Sequence, residues 1–289
     1  MQTGQIEDVS DTAFMVATWR AIETRRADAL FRDPLAAKLA GSHGGEIVRS
    51  RRQWSILGQW LVAIRTRIID AFIENAIADG AGTILNLGAG LDTRPYRMDL
   101  PEHIRWIEVD YPKVIELKER TLSSEKPRCH LERIKLDLTD IPARKRMLAE
   151  IAANSGKTLA LTEGVIPYLR VEDVASLADD LRGHAAFQYW IVDYSSPEAR
   201  ALRRRAGRKI QMQNAPFLFE PADYFGFFSE HGWRAEDIRY VPEEAHKLKR
   251  PVPLPFLWRW RVRLMSLIAG RRSRRALQKS TAYVLLRPS

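Results

Sequence analysis

The hydrophobic rhythm of the chain changes at about residue 83, and that change limits the folds open to it. Upstream, apolar residues recur at helical spacing: from 55 to about 78, Leu57, Leu61, Ile64, Ile68 and Phe72 form one stripe. Helices are also expected over 11–25 and 28–40, with Gly41 to Gly45 as a break. Downstream, short apolar runs at 83–87, 106–109, 131–136, 158–161 and 187–192 alternate with helix-like segments. Strands joined by helices must run parallel, because a parallel pair needs a crossover connection, and the crossovers cover both faces of the sheet. Further strands are expected at 238–241 and 281–286. The expected fold is therefore α/β: a seven-stranded, mostly parallel sheet with helices on both faces. Residues 1–80 form a helical N-terminal cap, 81–289 form the core, and an insertion at 242–280 precedes the last strand.

Charge separates that insertion from the rest. The net charge is +10 over 289 residues, which first suggests a polyanionic partner. Residues 245–289, however, contain twelve Lys and Arg and no acid, so residues 1–244 carry a net charge of −2. The lone cysteine, Cys129, can supply neither an intrachain disulfide nor a multi-thiolate metal site, which fits a reducing cytoplasm. No secretory leader is expected at Met1, and no apolar run reaches the roughly 18–20 residues of a membrane span.

The chemistry concentrates at the expected C-terminal ends of the strands. The first strand runs into Gly88-Ala89-Gly90, a turn in which missing Cβ atoms let the backbone approach a ligand. Asp92-Thr93 follows, better suited to capping a helix than to receiving a pyrophosphate. The second strand ends in Glu108-Val109-Asp110, about twenty residues beyond the glycines, where a carboxylate can accept ribose hydroxyls. Asp110 is favoured over Glu108 because it lies at the strand tip. Asp137 and Glu163 end the third and fourth strands, completing an acidic rim suited to a ligand with hydroxyls, an exocyclic amine and positive charge. Arg65 lies within the stripe of Leu61, Ile68 and Phe72, whereas Arg67 projects off it. A guanidinium directed inward needs an anion, either a ligand carboxylate or a structural acid.

Taken in order, Arg65-Thr66-Arg67, 87–94 (LGAGLDTR), 108–112 (EVDYP) and 162–169 (TEGVIPYL) resemble the leucine carboxyl methyltransferase superfamily, in particular its bacterial branch of S-adenosylmethionine-dependent O-methyltransferases. Supporting matches are Asp11-Thr12-Ala13, Arg20-Ala21-Ile22-Glu23, Asp33-Pro34-Leu35-Ala36 and Glu230-His231-Gly232-Trp233, so the likeness covers roughly 10–240. It implies a class I, Rossmann-like methyltransferase fold and S-adenosylmethionine as cofactor, whose ribose, adenine amine, ammonium and sulfonium suit the acidic rim. It further implies that Arg65 binds the cofactor carboxylate, Gly88 lines the methionine portion, Asp110 holds the ribose, Asp137 with Leu138 contacts adenine, and Glu163 lies near the ammonium. Ala89, Gly90 and Tyr111, inside the same motifs, join the expected cofactor contacts, and Tyr168 faces the substrate as the candidate catalytic-site residue. The sequence departs from the family pattern after 242.

The expected activity is methyl transfer to a carboxylate or hydroxyl of a small metabolite or a peptide C-terminus. A carboxylate acceptor needs no base, a hydroxyl does, and none of the six histidines stands at an expected strand tip. Residues 256–279 interleave Trp, Leu and Arg in a way that suits contact with an anionic membrane, a lid, or a surface helix packed on the sheet. Nucleic acid is the least supported partner, since no nucleic-acid-binding motif is present. The competing reading is a non-catalytic peripheral membrane or nucleic-acid binding protein on the same fold. The oligomeric state is not encoded in any local pattern.

Overall fold

Alternate residues of each central strand belong to opposite layers: Leu85, Leu87, Ile107 and Val109 pack into one apolar cluster, Ile84 and Trp106 into another. A strand buried on both faces reads as a continuous apolar run, which is why these segments show no polar alternation. The computed structural model describes residues 9–50, 52–206, 217–253 and 278–289.

Helices α1 (Val9–Thr24), α2 (Ala36–Ser50) and α3 (Arg52–Ala78) precede β1 (Thr83–Leu87). Then follow α4 (Arg94–Arg97), β2 (Arg105–Asp110), α5 (Pro112–Thr121), β3 (His130–Lys135), α6 (Ile141–Ala153) and β4 (Thr158–Leu161). A 3-10 turn (Ile166–Tyr168), α7 (Val171–Arg182), β5 (Phe187–Ser195), α8 (Pro197–Ala206), α9 (Tyr224–Glu230), β6 (Trp233–Tyr240), α10 (Val241–Lys247) and β7 (Thr281–Pro288) complete the order. The sheet runs β3-β2-β1-β4-β5-β7-β6. β1 to β5 pair in parallel, while β7 is antiparallel to both β5 and β6. The strand order reverses between β1 and β4, which opens a crevice above their C-terminal ends, the usual ligand position in such sheets.

One face is covered by α6, α7 and α9 through Leu148, Leu177, Leu181 and Phe228. The other is covered by α3 and α10 through Ile64, Ile68, Phe72 and Ala245. The C-terminal half of α3 lies on the sheet, while Gly58 nearer its start faces the Trp19 ring of α1.

Three of the boundaries that differ from those expected have a local physical cause. The helix expected over 28–40 begins only at Ala36, because Pro34 disfavours a helical residue before it and Asp33 caps the helix, accepting from the Ala36 amide at 3.0 Å. The expected break from Gly41 to Gly45 narrows to a kink at Gly41 (φ 56°, ψ −160°), and α2 continues because Gly44 lies where a Cβ would be 2.4 Å from Thr18 Oγ1, so the absent side chain admits α1. β6 starts at Trp233 rather than 238; among the described residues it pairs only with β7, and it carries exposed Arg234 and Glu236, the charged outer edge that discourages further strand addition.

Within the expected insertion 242–280, Arg250 pairs with Glu23 at 2.7 Å and Lys247 with Glu244 at 2.6 Å, so part of the local cationic excess is neutralised inside the molecule. The expected membrane-contact segment 256–279 lies outside the described residues except for its last two positions. Among the described residues, no helix is long and apolar enough to cross a membrane.

Candidate functional site

The C-terminal ends of β1 to β4 and the N-terminal helices enclose a cavity of about 320 Å³. Arg65, Gly88, Ala89, Gly90, Asp110, Tyr111, Asp137, Leu138, Glu163 and Tyr168 all line it, with Ala13 and Val16 of α1 closing it from above. A depression of about 780 Å³ lies at the opposite sheet edge, lined by Lys157, His184 and Ala186, but it is a shallow surface without clustered charge.

The glycine turn is held against β2: the Gly88 and Ala89 amides donate to Val109 O at 2.8 and 3.1 Å. Gly88 has φ 70°, and a Cβ there would stand 2.4 Å from Val165 Cγ2, so this position requires glycine on both counts. Gly88→Ala is expected to lower the unfolding free energy by about 2 kcal/mol, combining left-handed backbone strain with overpacking; urea unfolding of both proteins measures it, and an unchanged midpoint would contradict it.

Asp110 and Glu108 part company in the structure. Glu108 is fully buried and spent on Lys118 at 2.6 Å and Arg133 at 2.9 Å. Asp110 accepts from the Gly90 amide (2.6 Å) and the Tyr111 amide (2.7 Å), one bond on each oxygen, which leaves lone-pair capacity toward the cavity. Burial pushes its carboxyl above the usual range, opposed by those two amides. Asp137 at the next strand end accepts from the Thr139 amide and hydroxyl at 2.9 and 2.8 Å. Arg144 braces the adjoining loop by donating to Leu138 O at 2.8 Å while held by Asp180.

At the other end of the cavity, Arg65 Nε lies 2.7 Å from Glu163 Oε1, yet this N–H finds no aligned hydrogen-bond acceptor. Arg67, by contrast, is half-buried beside exposed Glu74. Glu163 also receives Arg94 at 2.7 Å. Arg94 is 1% exposed and bonds Asp70 and Asp92 as well, each at 2.7 Å; Arg97 grips Asp70 with two bonds of 2.8 Å. Burial would raise the carboxyls of Asp92 and Glu163, but the adjacent guanidiniums, Arg94 above all, reverse this and hold both below the usual range. Asp92 further accepts from the Arg94 amide at 3.0 Å, while Thr93 at the helix start makes no capping bond. Arg20 ties α1 to the glycine loop, donating to Asp33 at 2.9 Å and to Leu91 O.

Sequence reasoning missed Arg20, Asp70, Arg94, Arg97 and Asp193. Asp193 stands at the extended end of β5, where the strand-end rule applied to the earlier strands also finds it. Tyr168 closes the 3-10 turn and stacks on Phe217 with ring centroids 5.1 Å apart and planes at 19°.

A sheet in this order with its antiparallel strand β7, bearing a glycine turn and strand-end acids around one crevice, defines the class I methyltransferase fold. A DUF574 family crystal structure from Streptomyces avermitilis shares the fold, with a TM-score of 0.56 at 14% identity, covering 96% of this chain and 97% of that one. Residues 13–182 match the profile of the family described as leucine carboxyl methyltransferase. A Streptomyces coelicolor protein is 33% identical over 83% of this chain and 88% of its own length, and one from Streptomyces avermitilis is 30% identical over 84% and 89%. Both relatives carry the provisional name S-adenosyl-L-methionine-dependent methyltransferase. The chain belongs to the leucine carboxyl methyltransferase family.

Proposed function

We propose that this S-adenosylmethionine-dependent enzyme is an O-methyltransferase acting on a carboxylate or hydroxyl of a small metabolite or a peptide C-terminus. The observation that carries the reading is the single cavity in which a glycine turn, three strand-end acids and Arg65 converge. The donor set fits the cofactor. Asp110 has lone-pair capacity for ribose hydroxyls, Asp137 and Leu138 flank a place for adenine, and Arg65 has a misaligned donor for a carboxylate beside Glu163 for an ammonium. When bound, the cofactor supplies a methyl group already activated by its sulfonium. What the chain contributes is position and exclusion of water: Gly88 admits close backbone approach, and Ala13, Val16 and Leu169 wall the cavity with apolar surface. Tyr168 is the residue proposed to face the acceptor.

None of the histidines lines the cavity. That supports an acceptor already ionised, a carboxylate or a phenolate, over an alcohol needing a base. We place the boundary between the helical cap and the cofactor core near residue 80, with 242–280 as an insertion that shapes acceptor access or touches an anionic membrane surface.

Incubating extracts with enzyme and methyl-labelled cofactor, followed by mass spectrometry, tests the reading. A labelled ester or ether that forms only with enzyme is expected; label on nitrogen or carbon instead would overturn the O-methyl assignment. Tyr168→Ala is expected to raise the KM for that acceptor about tenfold with little change in cofactor affinity, the loss expected for removing one stacked aromatic contact. An unchanged KM removes Tyr168 from the acceptor site.

A further inference from the structure

The turn that carries Tyr168 is fixed from two sides. It follows Gly164, whose amide donates to Asp193 Oδ2 at 2.8 Å, and the backbone carbonyl of Asp193 accepts from the Tyr224 hydroxyl. On the other side, the Leu218 and Phe219 amides donate to Pro167 O at 2.8 and 3.3 Å, which pins residues 217–219 to the turn. Phe219 is buried and packs on Tyr224 and Phe227, with ring centroids 5.8 and 5.1 Å away. These anchors deliver Phe217 to Tyr168 as a nearly parallel stack, and Phe217 still keeps 37% of its surface exposed. A scattered surface phenylalanine would need no explanation; this one is continuous, through Tyr168, with the rim of the cavity.

Volume and charge say what that rim can receive. The cavity of about 320 Å³ stands at the small end of the range of about 300–1,000 Å³ for one small-molecule ligand, so with the cofactor inside, the body of the acceptor lies at the rim. The cations among the described residues lining the cavity are Arg20, which is held by Asp33 and Leu91 O, and Arg65, which is set against Glu163. Asp92, Asp110, Asp137 and Glu163 line the same space. A carboxylate acceptor would approach these acids without an uncommitted guanidinium to hold it, whereas a neutral phenol meets no such repulsion.

We propose that the acceptor oxygen is a phenolic hydroxyl on a planar ring system, and that Phe217 is a specificity-determining positioning residue that holds Tyr168 as the stacking platform for that ring. This inference rests on the reading of the cavity as the cofactor site with Tyr168 on its acceptor side. Phe217 covers one face of the Tyr168 ring, so the remainder of that ring is the part turned to the cavity. No protein base is required. The phenolic proton passes to water, a loss favoured beside the positive sulfonium; the oxygen lone pair then forms the O–CH3 bond as the C–S bond breaks and its electron pair returns to sulfur. The products are an aryl methyl ether and S-adenosylhomocysteine.

The test uses the full chain with three probes: naphthol, its fully saturated counterpart decalol, and an acetylated peptide with a free C-terminal carboxylate. Calorimetric titration first measures S-adenosylhomocysteine binding, and each probe is then titrated into the loaded protein. Naphthol is expected to bind about fivefold more tightly than decalol, the worth of one aromatic stacking contact, and more tightly than the peptide. Phe217→Leu keeps an apolar side chain and deletes the ring; it should erase most of the preference for naphthol while cofactor affinity stays unchanged, and Phe217→Tyr should retain the preference. With S-adenosylmethionine in place, wild type should form methoxynaphthalene. Equal affinity for naphthol and decalol, tighter binding of the peptide, or a Phe217→Leu protein that keeps the preference overturns the inference while leaving the cofactor site in place. Absence of S-adenosylhomocysteine binding removes the cofactor site as well. Because the comparison of probes uses unaltered protein, it decides the acceptor class even if a variant does not fold.

Discussion

Asp110→Ala is expected to weaken S-adenosylmethionine binding at least about 100-fold while the far-ultraviolet circular dichroism stays that of wild type. The carboxylate is proposed to accept both ribose hydroxyls, and hydrogen bonds to a charged acceptor contribute about 1.5–3 kcal/mol each. Its second effect is local: without the carboxylate, the Gly90 and Tyr111 amides lose acceptors 2.6 and 2.7 Å away, so the glycine turn loosens where the cofactor must lie. Asp110→Asn separates the two effects. An amide oxygen still accepts from Gly90, so the turn holds, yet the charge is gone and binding should fall between the two. Calorimetric titration of the three proteins gives the ranking; equal affinity of wild type and Asp110→Ala would remove Asp110 from the ribose role.

The largest effect on folding is expected from Arg94→Met, which keeps much of the volume and deletes the charge. Arg94 is buried among Asp70, Asp92 and Glu163, and removing one partner of such a cluster leaves carboxylates uncompensated, at a cost of about 3–5 kcal/mol. Differential scanning calorimetry should show a fall in Tm of roughly 10 °C. The sign of the pH dependence follows from the shifts. In wild type the carboxyls of Asp70, Asp92 and Glu163 are all lowered, so their contribution is present above the ordinary carboxylate range and lost as pH falls through their depressed values. Without Arg94 those carboxyls rise, protonation relieves their repulsion, and the gap between variant and wild type should narrow between pH 7 and pH 5. A constant gap would mean that packing, not charge, sets the cost.

These expectations show where the sequence speaks and where it is silent. The sheet was legible because strands buried on both faces are predominantly apolar, and strand-end acids follow from where such runs stop. Arg65 was legible as inward-facing, since helical spacing aligns it with Ile68 and Phe72, but spacing left its partner open; Glu163 lies 2.7 Å away. Arg94 was not legible as the hub of the site. Two of its three partners, Asp70 and Glu163, stand 24 and 69 positions distant, and nothing in the order of residues specifies that meeting. Asp193 follows directly on the apolar run 187–192, so the strand-end rule reaches it; what the sequence does not show is that β5 continues to Ser195, where β7 pairs with it as far as Thr281. The beginning of α2 was misplaced because the cap at Asp33 outweighs the helical propensity of the residues before it.

The central claim is that the cavity between the glycine turn and the strand-end acids holds S-adenosylmethionine. Titration of the folded chain with the cofactor in a calorimeter tests it most directly. Saturable binding with one site per chain, lost on Asp110→Ala, is the predicted result; a folded wild-type chain that produces no binding isotherm with either the cofactor or its demethylated product would contradict it.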